Sequence, residues 1–200
     1  MENQNTFNPK VSQDVSNKIV IGLERISEVF KLLLWKKAKH IGLSPIQIQM
    51  VTFVAFHASE LCNVSHLAKE FNVTKPTISD AIKVLEKKGM IFKDYSPIDQ
   101  RSYTIQLTEN GKEIVAETSD FTSPLKAQID SLDATELDSF FNTLSSLIYK
   151  LNQSEVLTVQ RTCYACKFYQ KTNDTSYCNL LQAILKNKDI RLDCPEFVAK

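Results

Sequence analysis

Residues 63 to 90, NVSHLAKEFNVTKPTISDAIKVLEKKGM, restrict the fold more than any other stretch of this 200-residue chain. Val64, Leu67, Ala68 and Phe71 recur at helical spacing and are cut off at Asn72. Thr74 then opens a second helix whose Ile78, Ala81, Ile82 and Leu85 share one side. The arrangement is helix, tight turn, helix. Lys87-Lys88-Gly89 closes the second helix, placing positive charge near its negative pole and a glycine where a left-handed cap is needed. Residues 91 to 108, IFKDYSPIDQRSYTIQLT, read as strand, turn at Ser96-Pro97 and strand, with Tyr103, Ile105 and Leu107 alternating on one face.

A hairpin directly after the second helix defines a winged helix-turn-helix. At 100° per residue, the side of that helix opposite Ile78 and Ile82 presents Pro76, Asp80, Lys83 and Lys87, flanked by Thr77 and Ser79. Small hydroxyls near a helix start, with lysines along it, suit a helix lying in a major groove. The competing reading is a solvated face on a plain helix pair. The hairpin favours the first, because Arg101 near its tip can reach a phosphate or enter a minor groove while Asp99 holds its guanidinium in place. Candidate DNA contacts are therefore Thr74, Lys75, Pro76, Thr77, Ser79, Asp80, Lys83 and Lys87 on helix 74–88, with Lys93, Asp99 and Arg101 on wing 93–103.

The flanks read as helical. Val15, Ile19, Leu23, Ile26, Phe30, Leu33 and Leu34 form one apolar stripe that Gly42 ends, and Ser44-Pro45-Ile46-Gln47 carries the capping hydroxyl, first-turn proline and Gln of a new start. Beyond the wing, Ile114, Val115, Phe121 and Leu125 lead through Pro124 to Ile129, Leu132, Leu137, Phe140, Phe141, Leu144, Leu147, Ile148 and Leu151, which predicts two further helices. The second has more apolar surface than a lone amphipathic helix carries, so burial against a partner subunit is expected; the alternative is packing onto residues 15 to 40 of the same chain. The fold class is mainly α with a small β-wing.

The chain resembles the MarR family of bacterial transcription regulators over about residues 15 to 152. The residues that carry the likeness are Leu67-Ala68-Lys69, Thr74-Lys75-Pro76-Thr77-Ile78-Ser79, Leu85-Glu86-Lys87-Lys88-Gly89, Asp99-Gln100-Arg101-Ser102 and Leu107-Thr108-Glu109-Asn110-Gly111. The resemblance implies a homodimer with interlocked long N- and C-terminal dimerisation helices, two recognition helices on double-stranded DNA, and a small-molecule effector as a further partner. Asp80 departs from the pattern, since a groove-facing position in such proteins is often basic or neutral. An aspartate there can accept a hydrogen bond from cytosine N4 or repel phosphate.

The likeness ends near residue 155, and a different composition begins. Four of the five cysteines follow, as Cys163-x2-Cys166-x11-Cys178-x15-Cys194 with Pro195 directly after the last. Four thiolates within about 40 residues are what a tetrahedral zinc site or a four-iron ([4Fe-4S]) cluster needs. A small cysteine-rich lobe over 156–200, appended to a domain over 1–155, cannot bury enough core to fold unaided, so a metal would supply stability. One metal centre is expected, zinc first and an iron-sulfur cluster second. Glycine is absent after Gly111, which counts against a zinc knuckle, and Tyr164, Phe168, Tyr169, Tyr177 and Phe197 could exclude water from a redox centre. The cysteine arrangement loosely resembles that of high-potential iron-sulfur proteins, without their glycines.

Other classes fit less well. The polar start MENQNTFNPK leads into amphipathic rather than continuously apolar sequence, so neither a secretory signal nor a membrane span is expected and the chain reads as cytoplasmic, where thiols stay reduced. The net charge of +1 hides an acidic stretch, 3 Lys/Arg against 9 Asp/Glu in residues 102 to 160, between segments with a basic excess. No nucleophile and base pair, phosphate loop or paired carboxylates stand out, so no enzyme is expected. His40, His57 and His66 show no site spacing, and Cys62 reads as a buried thiol or an oxidation sensor. Three functions remain: a DNA-binding transcriptional regulator, a redox or metal sensor regulator, and a non-DNA-binding electron carrier or accessory protein.

Overall fold

The computed structural model describes residues 5–8, 14–95, 102–172 and 175–200. Helix α1, Val15–Ile41, starts where Asp14 Oδ1 accepts the Asn17 amide at 2.8 Å and ends at Gly42 in the left-handed region. Ser44 and Gln47 form the expected capping box of α2, Pro45–Phe56, with the Ser44 amide donating to Gln47 Oε1 at 2.9 Å. A short 3-10 turn leads to α3, Val64–Glu70, capped by Asn63. Asn72 takes a positive φ of 51° and turns the chain into α4, Lys75–Lys87, capped by Thr74. Strands β1, Ile91–Tyr95, and β2, Tyr103–Leu107, pair antiparallel with Ile91 opposite Leu107. The Ser96-Pro97 turn, Asp99 and Arg101 lie outside the described residues.

Three helices follow the hairpin, not the two expected: α5, Glu109–Thr118, α6, Ser123–Ile129, and α7, Ala134–Gln153. Pro124 sits in the first turn of α6, where its missing amide costs nothing, instead of continuing α5. The hydroxyls of Thr118 and Ser119 bond back to the Val115 and Ala116 carbonyls and finish α5 ahead of it. Asp133 then opens α7 with a capping box to Glu136.

The core is built where the sequence patterns converge. Ile48, Met50, Val51, Leu67, Ile78, Ile82, Leu85 and Ile105 are almost wholly buried, joining α2, α3, α4 and β2. Gly111 fits here because α5 begins against the Met90 carbonyl; a Cβ at residue 111 would lie 2.0 Å from that oxygen. Along α1, by contrast, only Leu34 and Ala38 are buried, while Val15, Ile19, Leu23, Ile26 and Phe30 remain exposed. The apolar stripe of α1 is thus left largely exposed over residues 15–26, while Phe30 meets the Phe121 ring edge-on at 5.3 Å. No helix among the described residues is long and apolar enough to cross a membrane.

After α7 the architecture changes. Residues 163–165 form a 3-10 turn, and β3 (Tyr169–Thr172), β4 (Thr175–Cys178) and β5 (Ala183–Leu185) make a three-stranded antiparallel sheet in that order. Parallel bridging of Arg161 and Asp193 and antiparallel bridging of Cys166 and Ala199 tie the last residues back to the start of this segment.

Candidate nucleic-acid interface

Helix α4 is oriented by its buried side. Ile78, Ala81, Ile82 and Leu85 anchor it in the core, which turns Thr74, Lys75, Pro76, Thr77, Asp80, Lys83 and Lys87 outward, with Ser79 half-buried. The Thr74 and Thr77 hydroxyls lie 2.9 Å apart at the helix start, and Thr74 Oγ1 also accepts the Thr77 amide at 3.3 Å. Asp80 is not isolated: Lys83 Nζ donates to its Oδ1 at 2.9 Å one turn away. Among the described residues, Lys75 and Lys87 make no ion pair, so their charges face outward unneutralised.

The lysines next to α4 have other work. Lys88 Nζ donates to the Gly42 carbonyl at 2.8 Å, bracing the C-terminus of α1 against the end of α4. Lys93 on β1 is bound by Glu86 at 2.7 Å and stands over the Tyr103 ring at 5.4 Å. The Glu86 carboxylate holds the Lys93 ammonium above its usual range. Lys93 therefore ties the wing to α4 through a neutralised pair. Asp99 and Arg101 fall outside the described residues.

Behind this face lies a polar junction that sequence reading missed. Arg161 donates to both carboxylate oxygens of Glu70 at the end of α3, at 2.9 and 3.0 Å, and its Nε donates to Asp193. Asp193 Oδ2 also meets His57 Nε2 at 2.8 Å, and the His57 ring stacks on Phe53 with centroids 3.8 Å apart. Hydrogen bonding to Glu70 pushes the Arg161 guanidinium further up. Burial opposes ionisation of Asp193, yet bonds from Arg161 and His57 hold its carboxyl below the ordinary range. His66 stands 3.6 Å from Glu70, and burial lowers its imidazole. Only the fold brings His57 and His66 together around Phe53 and Glu70, because their sequence spacing carries no signal.

The four cysteines of the last segment come to one place. Cys163, Cys166, Cys178 and Cys194 all line a single cavity of about 30 Å³, and all are free thiols. Among the described residues, no three His, Cys, Asp or Glu side chains form a group that could hold a metal ion. Cys62 is apart from them, buried beneath the Ala58 carbonyl, with its thiol pushed up to about 11 by burial and by Glu60.

Comparison with known proteins gives the fold a family likeness. The family model described as MarR family matches residues 41–102. A relative, the uncharacterized HTH-type transcriptional regulator YdgJ of Bacillus subtilis (strain 168), is 26% identical over 115 residues, which are 57% of this chain and 69% of that protein. The MepR–DNA complex of S. aureus is similar at a TM-score of 0.58 and 23% identity, covering 70% of this chain and 100% of that one. CouR from Rhodococcus jostii RHA1, solved with p-coumaroyl-CoA, is similar at 0.55 and 21% identity, covering 68% of this chain and 95% of its own. The described residues of 41–102 and the flanking helices share the fold of these two solved structures.

Proposed function

We propose that this chain is a MarR-type transcription regulator that binds double-stranded DNA as a homodimer, with helix 74–88 in the major groove and wing 93–103 on the backbone or minor groove. The observation that carries this reading is the division of α4 into two faces. One side is locked into the core, and the other turns the hydroxyls of Thr74 and Thr77 and the ammoniums of Lys75, Lys83 and Lys87 outward. A rigid, hydroxyl-started, lysine-bearing helix face has the groups that contact phosphates and base edges. MepR, which shares the fold, was solved with DNA.

The exposed apolar stripe of α1 supports a second subunit. Ile19, Leu23, Ile26 and Phe30, together with Phe140 and Leu151 of α7, form apolar surface that a partner copy would bury. Two copies would present two α4 helices to a roughly palindromic site. CouR, which shares the fold, was solved with an acyl-CoA. A cleft of about 490 Å³ between α3, α7 and the last residues, lined by His66, Tyr149, Gln160, Arg161 and Lys200 among others, is the place where we put a small-molecule effector.

Salt-dependent duplex binding tests the reading. Each of Lys75→Ala and Lys87→Ala should weaken binding across sequences and reduce the slope of log affinity against log salt by about 1. Binding that is absent in the parent chain, or insensitive to salt, would end the proposal.

A further inference from the structure

From the four-thiol cavity of the last segment we infer that Cys163, Cys166, Cys178 and Cys194 hold a four-iron, four-sulfur cluster rather than a single zinc ion. The inference is independent of the DNA-binding reading, because it concerns only the interior of residues 156–200.

The segment lacks an ordinary core. Among its described residues the buried ones are Thr162, Cys163, Cys166 and Ile190, so two of the four are cysteines that face the cavity. A polypeptide of this length, with so little apolar burial, needs an inorganic centre to fold around. The thiols surround the space from separate elements: Cys163 and Cys166 flank the 3-10 turn, Cys178 ends β4, and Cys194 follows the bridge at Asp193. Phe168, Leu180, Leu181 and Leu185 close much of the remaining wall.

Size separates the two metals. A zinc ion bound by four thiolates lies about 2.3 Å from each sulfur, which brings the sulfurs to roughly 3.8 Å from one another and leaves no room for water between them. Here the cavity that the four cysteines line together with eight other residues is about 30 Å³. That is more than the roughly 10–15 Å³ a single water requires. Among the described residues, no three ligand side chains are grouped as one ion would need. A cubane puts one iron in front of each thiolate and holds the four sulfurs apart around a shared centre, which matches thiols that line one cavity without converging on a point.

Donors reach two of the sulfurs, although the Cys194 thiol itself donates to the Glu196 carboxylate at 3.3 Å. The Arg191 amide donates to Cys163 Sγ at 3.2 Å, and Arg191 Nη1 lies 3.8 Å from Cys194 Sγ. Amide and guanidinium donors to thiolate sulfur stabilise a cluster and tune it. On binding, each of the four thiols gives up its proton as its sulfur bonds to one iron, and the cluster keeps its oxidation state.

The full-length protein, purified without oxygen and incubated with equal amounts of ferrous and ferric iron and with sulfide, provides the test. The expected result is about four iron and four acid-labile sulfide per chain, with broad absorbance around roughly 400 nm. Cys178→Ser and Cys194→Ser should each retain less than about a tenth of that absorbance, whereas Cys62→Ser, outside the cavity, should retain all of it. One tightly held zinc per chain with no sulfide uptake would overturn the inference, as would a chain that takes up neither metal. Should a cysteine variant fail to fold, the iron, sulfide and zinc content of the parent chain and of Cys62→Ser decides alone.

Discussion

Arg161 grips Glu70 by both oxygens of its carboxylate, at 2.9 and 3.0 Å, and so fastens the start of the cysteine segment to the end of the first helix of the helix-turn-helix. The Arg161 side chain is only 10% exposed, so the pair is not an ordinary surface bridge. Asp193, next to Cys194, shares the same guanidinium. Cys194 is therefore next to a carboxylate that shares the cation tied to α3.

Arg161→Ala should cost about 3 kcal/mol, since it strands two carboxylates that now share one cation. For a domain of this size, that lowers the thermal midpoint by roughly 6–12 °C. Arg161→Lys keeps the charge but cannot engage both Glu70 oxygens, so it should recover less than half of the loss. Hydrogen exchange of residues 64–70 and 156–200 supplies the second readout: both should exchange faster in Arg161→Ala, and unchanged protection at α3 would show that the junction does not couple them.

Cys62 should be chemically silent. Burial and Glu60 raise its thiol to about 11, so at neutral pH its thiolate fraction is far below that of an ordinary cysteine. Because the folded value is the higher one, Cys62 favours the folded state below pH 9, and that preference is lost as pH rises from about 9 to 11. Alkylation at pH 7.5, mapped residue by residue by mass spectrometry, should reach Cys62 last, and only as fast as the protein opens. Rapid labelling of Cys62 in the folded chain would restore it as a candidate oxidation sensor.

Gly111 tolerates no side chain. Even the methyl of Gly111→Ala meets the Met90 carbonyl at 2.0 Å, a backbone atom held by the Thr108 amide at 3.1 Å. Relief requires moving the start of α5 off the hairpin, at a cost of about 3 kcal/mol or more. A urea titration should show the midpoint falling with little change in slope.

Much of the winged helix was legible because its signals are local. Ser44 with Gln47, Asn72, Thr74 and Gly89 each settle a few backbone groups within one turn, and the structure uses all of them as the residue types suggest. The Asp133–Glu136 capping box is equally local, and it was the available sign that the region after Pro124 holds two helices. Lys83 with Asp80 could likewise be read at i,i+3 spacing. Arg161 with Glu70 could not, since 91 residues separate them and neither sits in a periodic pattern. The cysteine spacing suggested that the four thiols gather in one place, as they do around one cavity, but not how far apart the intervening strands and turns hold them.

If α4 meets DNA as proposed, Asp80 sets the charge that its outer face brings to the duplex. Lys83 bonds to Asp80 at 2.9 Å, and both side chains are 72% exposed, so the pair contributes at most about 1 kcal/mol to stability. Its larger effect is electrostatic, because one carboxylate cancels one lysine on a surface that the proposed complex brings to phosphates. Asp80→Asn removes that charge, keeps the side-chain shape and releases Lys83. Non-specific duplex binding should tighten about three- to tenfold at low salt, and the salt slope should steepen by about 1, with the thermal midpoint almost unmoved. On a preferred site the variant can behave differently: if Asp80 accepts from a cytosine N4, the gain there shrinks or reverses while the non-specific gain persists. Weaker non-specific binding by Asp80→Asn would mean that Asp80 does not face the backbone at all, and α4 would have to enter the groove on another side.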